Sequence, residues 1–246
     1  MKKFFALAAV AAMFIACGGE KPAPQPQPQP GVGDEVEFEG AISIDGQYAD
    51  WDAVTENIQV ATLPEGECRY SQLKTFKLHA DENFIYVYCE FDPTNTLVFV
   101  PYFDLDSDAT TGNTSKWDGA GYEAKAEGDI WTWTLDADEN PVSQEAPKAW
   151  DPAFYEYTDE GTIEVCPASL GAVISSTPAP TKDGLYAFEA ALVREILDDA
   201  YGLEGTFTMG MIQYDMDWMY IGQLPCQSED ARMEGALEEM LTVTLP

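Results

Sequence analysis

Basic residues are scarce in this 246-residue chain: 12 Lys and Arg stand against 44 Asp and Glu, a formal net charge of −32 at pH 7. Phosphate backbones and anionic lipid surfaces are gripped by Lys and Arg. Nucleic acid is therefore disfavoured as a partner, and so is electrostatic adhesion to a membrane. The chain has one histidine, His79. It sits in a strand pattern with polar spacing, where a packing or surface role outweighs metal ligation. A Ser-His-Asp site would rest on that residue alone, and no GxSxG elbow is present. There is no P-loop or dinucleotide fingerprint, and no CxxC pair of the kind that holds zinc. Glycosidases need two carboxylates set across a cleft, but among 44 acidic residues some pair meets that spacing by accident. No catalytic residue is assigned, and neither haem nor nucleotide is expected.

Long apolar runs are also missing beyond the start. MKKFFALAAVAAMFIAC carries Lys2 and Lys3, then an apolar run from Phe4 to Ile15, and small residues before Cys17. That is the plan of a secretory signal, too short to span a bilayer, which takes about 20 apolar residues. Phe14-Ile15-Ala16-Cys17 resembles the bacterial lipobox, with Phe14 in the place of the usual leucine. Residues 1–16 are thus read as a lipoprotein signal peptide and Cys17 as the lipidation site. Acyl chains would then anchor a body that itself stays out of the membrane. Residues 17–33 begin with Cys17 and continue as GGEKPAPQPQPQPGVG. Alternating Pro and Gln forms no packed core and favours an extended polyproline spacer, so this segment reads as a stalk. Of the five cysteines, Cys68, Cys89, Cys166 and Cys226 remain. An even count in an exported chain permits disulfides in any of three full pairings, and the sequence does not choose among them. Cys89, in an apolar strand pattern, also reads as a buried thiol.

Residues 34–246 are rich in strand signals. VEFEGAISID alternates; LKTFKLHA and FIYVYCEF flank Asp81-Glu82-Asn83, a hairpin turn. LVFVPYFDLD is nearly continuous in apolar residues, as for a strand covered on both faces. IWTWTLD, LYAFEAAL, TFTMGMIQYD and MLTVTLP follow. The one convincing helix is LVREILDDA, where Val193, Ile196, Leu197 and Ala200 share a face, with a shorter helical turn at QYADWDAV. Residues 137–183 are proline-rich and irregular, expected as long loops with one or two short strands. The fold class is all-β: a two-sheet antiparallel β-sandwich with one short helix and long loops.

The stretch DLDSDATTGNTSKWDGAGYE, residues 104–123, is the most suggestive. Asp104, Asp106 and Asp108 alternate as in the first half of a calcium loop. The EF-hand pattern then fails, because its glycine position is Ala109 and its glutamate position Ser115. A different oxygen cage remains, with Asp118 or Glu123 closing the shell around Ca2+. The alternative is an acidic turn that ends a strand, with Gly112 supplying positive φ.

Five stretches resemble, in order, the family 9 carbohydrate-binding-like domains. IDGQYADWDAV is similar to the family's DG…DW opening, and FIYVYCEF to the hairpin strand that follows it. FDLDSDATTG…WDGAGYE resembles its D-x-D…TG segment. LYAFEAAL resembles its E-x-x-(I/L)P strand, without the proline. MIQYDMDWMYIGQLP resembles its closing aromatic segment. The overall build is similar to secreted lipoproteins of the Bacteroidetes. The resemblance implies a two-sheet sandwich related to haem-binding sensor domains, and it directs attention to Met209, Met211, Met216 and Met219. Trp51, in the first motif, is expected in the core.

Aromatic rings stack on the C–H faces of sugars while Asp, Asn and Gln bind hydroxyls. The rings outside clear core strands are Trp117, Tyr122, Trp150, Tyr155, Tyr157 and Trp218, with Trp117 and Trp150 expected to be exposed. Trp131 and Trp133 share a strand face about 7 Å apart, as core packing or as a platform. The expectation is a non-catalytic carbohydrate-binding lipoprotein of the outer membrane, displayed at the cell surface for polysaccharide utilisation beside an outer-membrane protein partner. The competing expectation is a structural or protein-interaction lipoprotein with no sugar site.

Overall fold

In the computed structural model the strand pattern closes into two antiparallel sheets. The structure describes residues 40–106, 108–119, 121–157, 172–234 and 238–246, with the backbone of 163–165. The signal segment, Cys17, the Pro-Gln stretch and Cys166 lie outside the described residues.

The first sheet runs β1 (Ile58–Thr62), β2 (Leu73–Ala80), β3 (Phe84–Phe91), β12 (Tyr186–Val193) and β10 (Val173–Ser175), with β11 (Ala179–Pro180) also pairing β12. The second runs β14 (Tyr220–Leu224), β13 (Thr206–Asp215), β4 (Thr96–Asp104), β5 (Ala124–Asp129), β8 (Ala153–Tyr157) and β9 (Ile163–Val165), with β15 (Leu241–Thr244) also pairing β13. A separate hairpin is made by β6 (Trp131–Leu135) and β7 (Pro141–Pro147). Among the described residues the α-helices are α1 (Arg194–Tyr201) and the single-turn α2 (Glu229–Met233).

Period-two alternation builds the core. Leu78, Val87, Cys89, Phe188 and Leu192 from the first sheet meet Phe99, Phe103, Ala126, Phe154, Phe207 and Met209 from the second. Phe91, Phe99 and Phe188 meet edge to face, with ring centroids 4.8 and 5.1 Å apart across Phe99, a geometry aromatic quadrupoles favour. The outer faces are covered as well. Ile42 and Trp51 pack on Tyr86, Tyr88, Ala187 and Ala191 outside the first sheet. Trp117, Tyr122 and Met240 pack on Val98, Val100, Tyr102, Ile212 and Tyr214 outside the second. Covering on both faces explains why every residue of β4 is buried.

Two expectations change. The described part of VEFEGAISID is not a strand. Its alternate backbone N–H groups bond to carboxylates instead: Ala41 to Asp81 (3.1 Å), Ser43 to Asp50 (2.7 Å) and Asp45 to Glu189 (3.0 Å). Residues 137–183 hold β7 to β11 rather than one or two strands. The helical turn expected at QYADWDAV is a 3-10 turn at Asp50–Asp52. His79 is a packing histidine, buried, stacked on Tyr86 at 5.6 Å and bonded through Nδ1 to the Asn57 carbonyl at 3.0 Å.

Candidate functional site

The loop from Asp104 to Glu123 has two faces with different chemistry. Its apolar side packs down. Trp117 is 1% exposed, and its indole Nε1 donates to the Pro225 carbonyl at 2.9 Å. Tyr122 is fully buried, edge-on to Tyr102 at 4.8 Å. Trp150, 2% exposed, donates to the Gly128 carbonyl at 3.1 Å. These three rings are removed from the candidate sugar contacts, since a ring buried on both faces offers none to a ligand. Each tryptophan lies close against a strand glycine. A Cβ on Gly210 would fall 2.5 Å from Trp117 Cζ2, and one on Gly128 would fall 2.5 Å from Trp150 Nε1.

The polar side of the loop gathers carboxylates. Asp104, at the end of β4, Asp106, and Glu123 just before β5 bring one oxygen each within 4.8 Å of one another. Asp104 is buried and Glu123 half-buried. Glu123 accepts from the Leu105 N–H (2.8 Å) and the Thr111 hydroxyl (2.9 Å). That same hydroxyl lies 3.1 Å from Asp106 Oδ2 and 2.9 Å from the Asp108 carbonyl. One hydroxyl hydrogen serves one of these acceptors at a time, so the oxygens outnumber their shared donor. Burial, and then the charges of Asp106 and Asp104, push the Glu123 carboxyl above its usual range. The wall is tight as well. Gly112 has φ +55°, and a Cβ there would stand 2.6 Å from Glu123 Oε1. Crowded hard oxygens of this kind are the ligands that Ca2+ takes.

Asp108 and Asp118 do not join this group. The Asp108 carboxylate is taken by the backbone N–H and hydroxyl of its neighbour Thr110 (2.9 and 2.7 Å), which holds its carboxyl below the usual range. Asp118 is exposed, and its N–H is tied to the Glu238 carbonyl at 3.0 Å. Glu123, offered by the sequence only as an alternative to Asp118, takes the third place.

Of the three remaining candidate rings, Tyr157 packs edge-on against Tyr122 at 5.6 Å, while Tyr155 and Trp218 meet elsewhere, in an open groove of ≈ 690 Å³ beside the outer face of the second sheet. Val98 and Asp129 face each other across β4 and β5, and with Glu127 and Tyr155 they line it. The β6–β7 hairpin contributes Trp133, Leu135 and Asn140, and Asp151 precedes β8. Trp218 comes from the turn between β13 and β14. It is 53% exposed, with φ +58° and its ring tilted against Tyr214 at 5.8 Å. Asp215 fixes that turn by accepting from the N–H groups of Asp217 and Met219, both at 2.9 Å. A non-glycine residue held at positive φ is strain of about 1–3 kcal/mol, here set at the tip that presents an exposed ring. Trp131 enters the core, while Trp133 packs partly buried against it and also lines the groove. The four methionines do not converge. Met209 and Met211 are in the sandwich core, Met216 lines the groove and Met219 is exposed.

No protein-family model matches the chain, and no curated protein matches it.

Proposed function

We propose that the groove beside the second sheet binds a carbohydrate, and that the chain is a non-catalytic glycan-binding lipoprotein of the outer membrane, anchored through Cys17 and akin to the family 9 carbohydrate-binding-like domains. The observation that carries this reading is the convergence of Trp133, Tyr155 and Trp218 with Glu127, Asp129, Asp151 and Asn140 in one open groove of ≈ 690 Å³. Rings take the C–H face of a sugar, and carboxylates and an amide take its hydroxyls, which is the usual division of labour in a ligand site. Ca2+ held by Asp104, Asp106 and Glu123 would stiffen the loop whose Trp117 and Tyr122 cover the same sheet.

Affinity electrophoresis of the purified protein through gels containing a panel of neutral polysaccharides tests the groove. Retardation by one polymer class is expected, with its loss in Trp218→Ala and Tyr155→Ala variants that keep the parent melting temperature. Mobility unchanged across the panel, or retardation that survives both substitutions, would overturn the reading in favour of an interaction protein.

A further inference from the structure

A chain with 12 basic residues places three of them around one pocket. Arg69, Lys116 and Arg232 line a cavity of ≈ 310 Å³ together with Tyr70, Tyr220 and Glu229. They arrive from separate segments: the connection between β1 and β2, the Asp104–Glu123 loop, and α2. The meeting is fixed by backbone pairing. Ser71 bridges Gly222 on β14, and the Gln72 N–H donates to the Ile221 carbonyl at 2.9 Å. The Glu229 N–H donates to the Glu67 carbonyl at 2.7 Å.

One of the three cations is matched at salt-bridge distance: Glu229 pairs with Arg232, and its charge also acts on Arg69. Among the described residues neither Lys116 nor Arg69 lies within salt-bridge distance of a carboxylate. Lys116 is half-buried; its Nζ donates to the Tyr220 hydroxyl and lies 5.0 Å from the Tyr102 ring centroid. Burial, and then Lys125, hold its ammonium down at about 8. Arg69 lies over the Tyr70 ring at 5.3 Å, and Tyr70 stands edge-on to Tyr220 at 5.6 Å. A half-buried ammonium and an exposed guanidinium flank two tyrosine rings, in a protein whose net charge repels anions at long range.

We propose that this pocket is a second ligand site, taking a small molecule that carries one carboxylate on a ring skeleton. The guanidinium fork and the ammonium bind the carboxylate, and Tyr70 and Tyr220 pack against the ring. A cavity of this volume is at the small end of ligand sites, which fits one ring rather than a chain. The long-range repulsion grows with ligand charge and favours a monoanion over a dianion such as phosphate. The chemistry is shared by hexuronic acids and by aromatic carboxylic acids.

Calorimetric titration of the purified protein with galacturonate, benzoate, neutral galactose and inorganic phosphate tests the site. Binding of galacturonate alone identifies a sugar acid, and binding of benzoate identifies an aromatic acid; either supports the proposal. Affinity is expected to fall about tenfold in Lys116→Met and in Arg69→Met, the loss of a charge-assisted hydrogen bond. Arg69 is exposed, so its variant reports on the site even if Lys116→Met misfolds. Trp218→Ala, in the groove, is expected to leave this binding unchanged, so failure here is separable from failure of the glycan reading. No heat from either carboxylate at about 10 mM, phosphate binding as strongly as galacturonate, or affinity unmoved in both variants would overturn it.

Discussion

The indole Nε1 of Trp51 donates to Glu189 Oε2 at 2.9 Å. The other oxygen of that buried carboxylate accepts from the backbone N–H groups of Asp45 (3.0 Å) and Gly46 (2.7 Å). The segment IDGQYADW and the strand LYAFEAAL are thus two halves of one device. A carboxylate on β12 satisfies three donors that pin the N-terminal segment over the first sheet. Gly46, at φ +76°, makes the turn that points two successive N–H groups at the same oxygen.

Replacing Glu189 by Gln sets an NH2 group against donors that have no other acceptor. A loss of about 3 kcal/mol is expected, or roughly 6–12 °C in Tm for a domain of this size. Trp51→Phe, which removes only the indole donor, is expected to cost less. Burial raises the Glu189 carboxyl despite its donors, so the folded state holds its proton more tightly than the unfolded one. Stability contributed by this group falls as pH rises from the unfolded carboxyl range through the folded value. Urea titrations across that range are expected to show this slope in the parent and not in Glu189→Gln. A variant within about 0.5 kcal/mol of the parent would sink the argument.

Gly210 and Gly128 are fixed by the indoles that lie on them. Gly210→Ala is expected to destabilise by about 1–3 kcal/mol through overpacking, because its Cβ would enter the Trp117 ring. In a Trp117→Leu background the same change is expected to cost markedly less, a coupling that a double-mutant cycle reads directly. Additive effects would mean that the ring is not the obstacle.

Those glycines also show where the sequence was legible and where it was not. Runs rich in strand-forming residues located LKTFKLHA, FIYVYCEF, TFTMGMIQYD and MLTVTLP, of which FIYVYCEF and TFTMGMIQYD are buried at nearly every residue. The continuous run in β4 announced cover on both faces. Trp117 and Trp150 misled because they stand in polar, Gly- or Pro-rich surroundings, and local composition does not reveal what a ring folds onto. The signal lay elsewhere, in a glycine inside each partner strand, which marks close approach by another group. VEFEGAISID alternates like a strand, but in its described part carboxylates from other segments took the N–H groups of Ala41, Ser43 and Asp45. The groove was half legible. Tyr155 and Trp218 stood out as rings, while the carboxylates beside them were indistinguishable among 44 acidic residues.

The carboxylate cluster gives a cation test with a defined sign. Glu123 has its proton affinity raised by burial and by Asp106 and Asp104, so its ionised form costs stability above the unfolded carboxyl range. Bound Ca2+ would relieve that cost, and a ligand at about 100 times its dissociation constant adds about 2.7 kcal/mol. Melting curves at neutral pH are expected to shift upward with Ca2+, less so as pH falls and Glu123 protonates. Glu123→Gln is expected to stabilise the metal-free protein and abolish the Ca2+ response. A response that persists in Glu123→Gln, or no response in the parent, would leave residues 104–123 as an acidic turn.

The thiols supply the last test. Cys89 is in the core, where burial raises its thiol well above the usual range. The Cys226 thiol is pushed up to about 12, first by burial and then by its hydrogen-bond contact with Cys68. Thiolate is the reactive form, so Cys89 is expected to resist a disulfide reagent at about pH 8 until the protein unfolds. Cys226 is expected to label slowly. Cys68 and Cys226 lie on segments held together by the Gln72–Ile221 and Glu229–Glu67 backbone hydrogen bonds. Oxidised glutathione, accepting two electrons as the two thiols lose their protons, is expected to join them in preference to any pair that includes Cys89. A non-reducing digest should then yield one cross-linked species holding Cys68 and Cys226. A digest in which Cys89 is the bridged residue would show that the native packing around β3 opens far more readily than its burial implies.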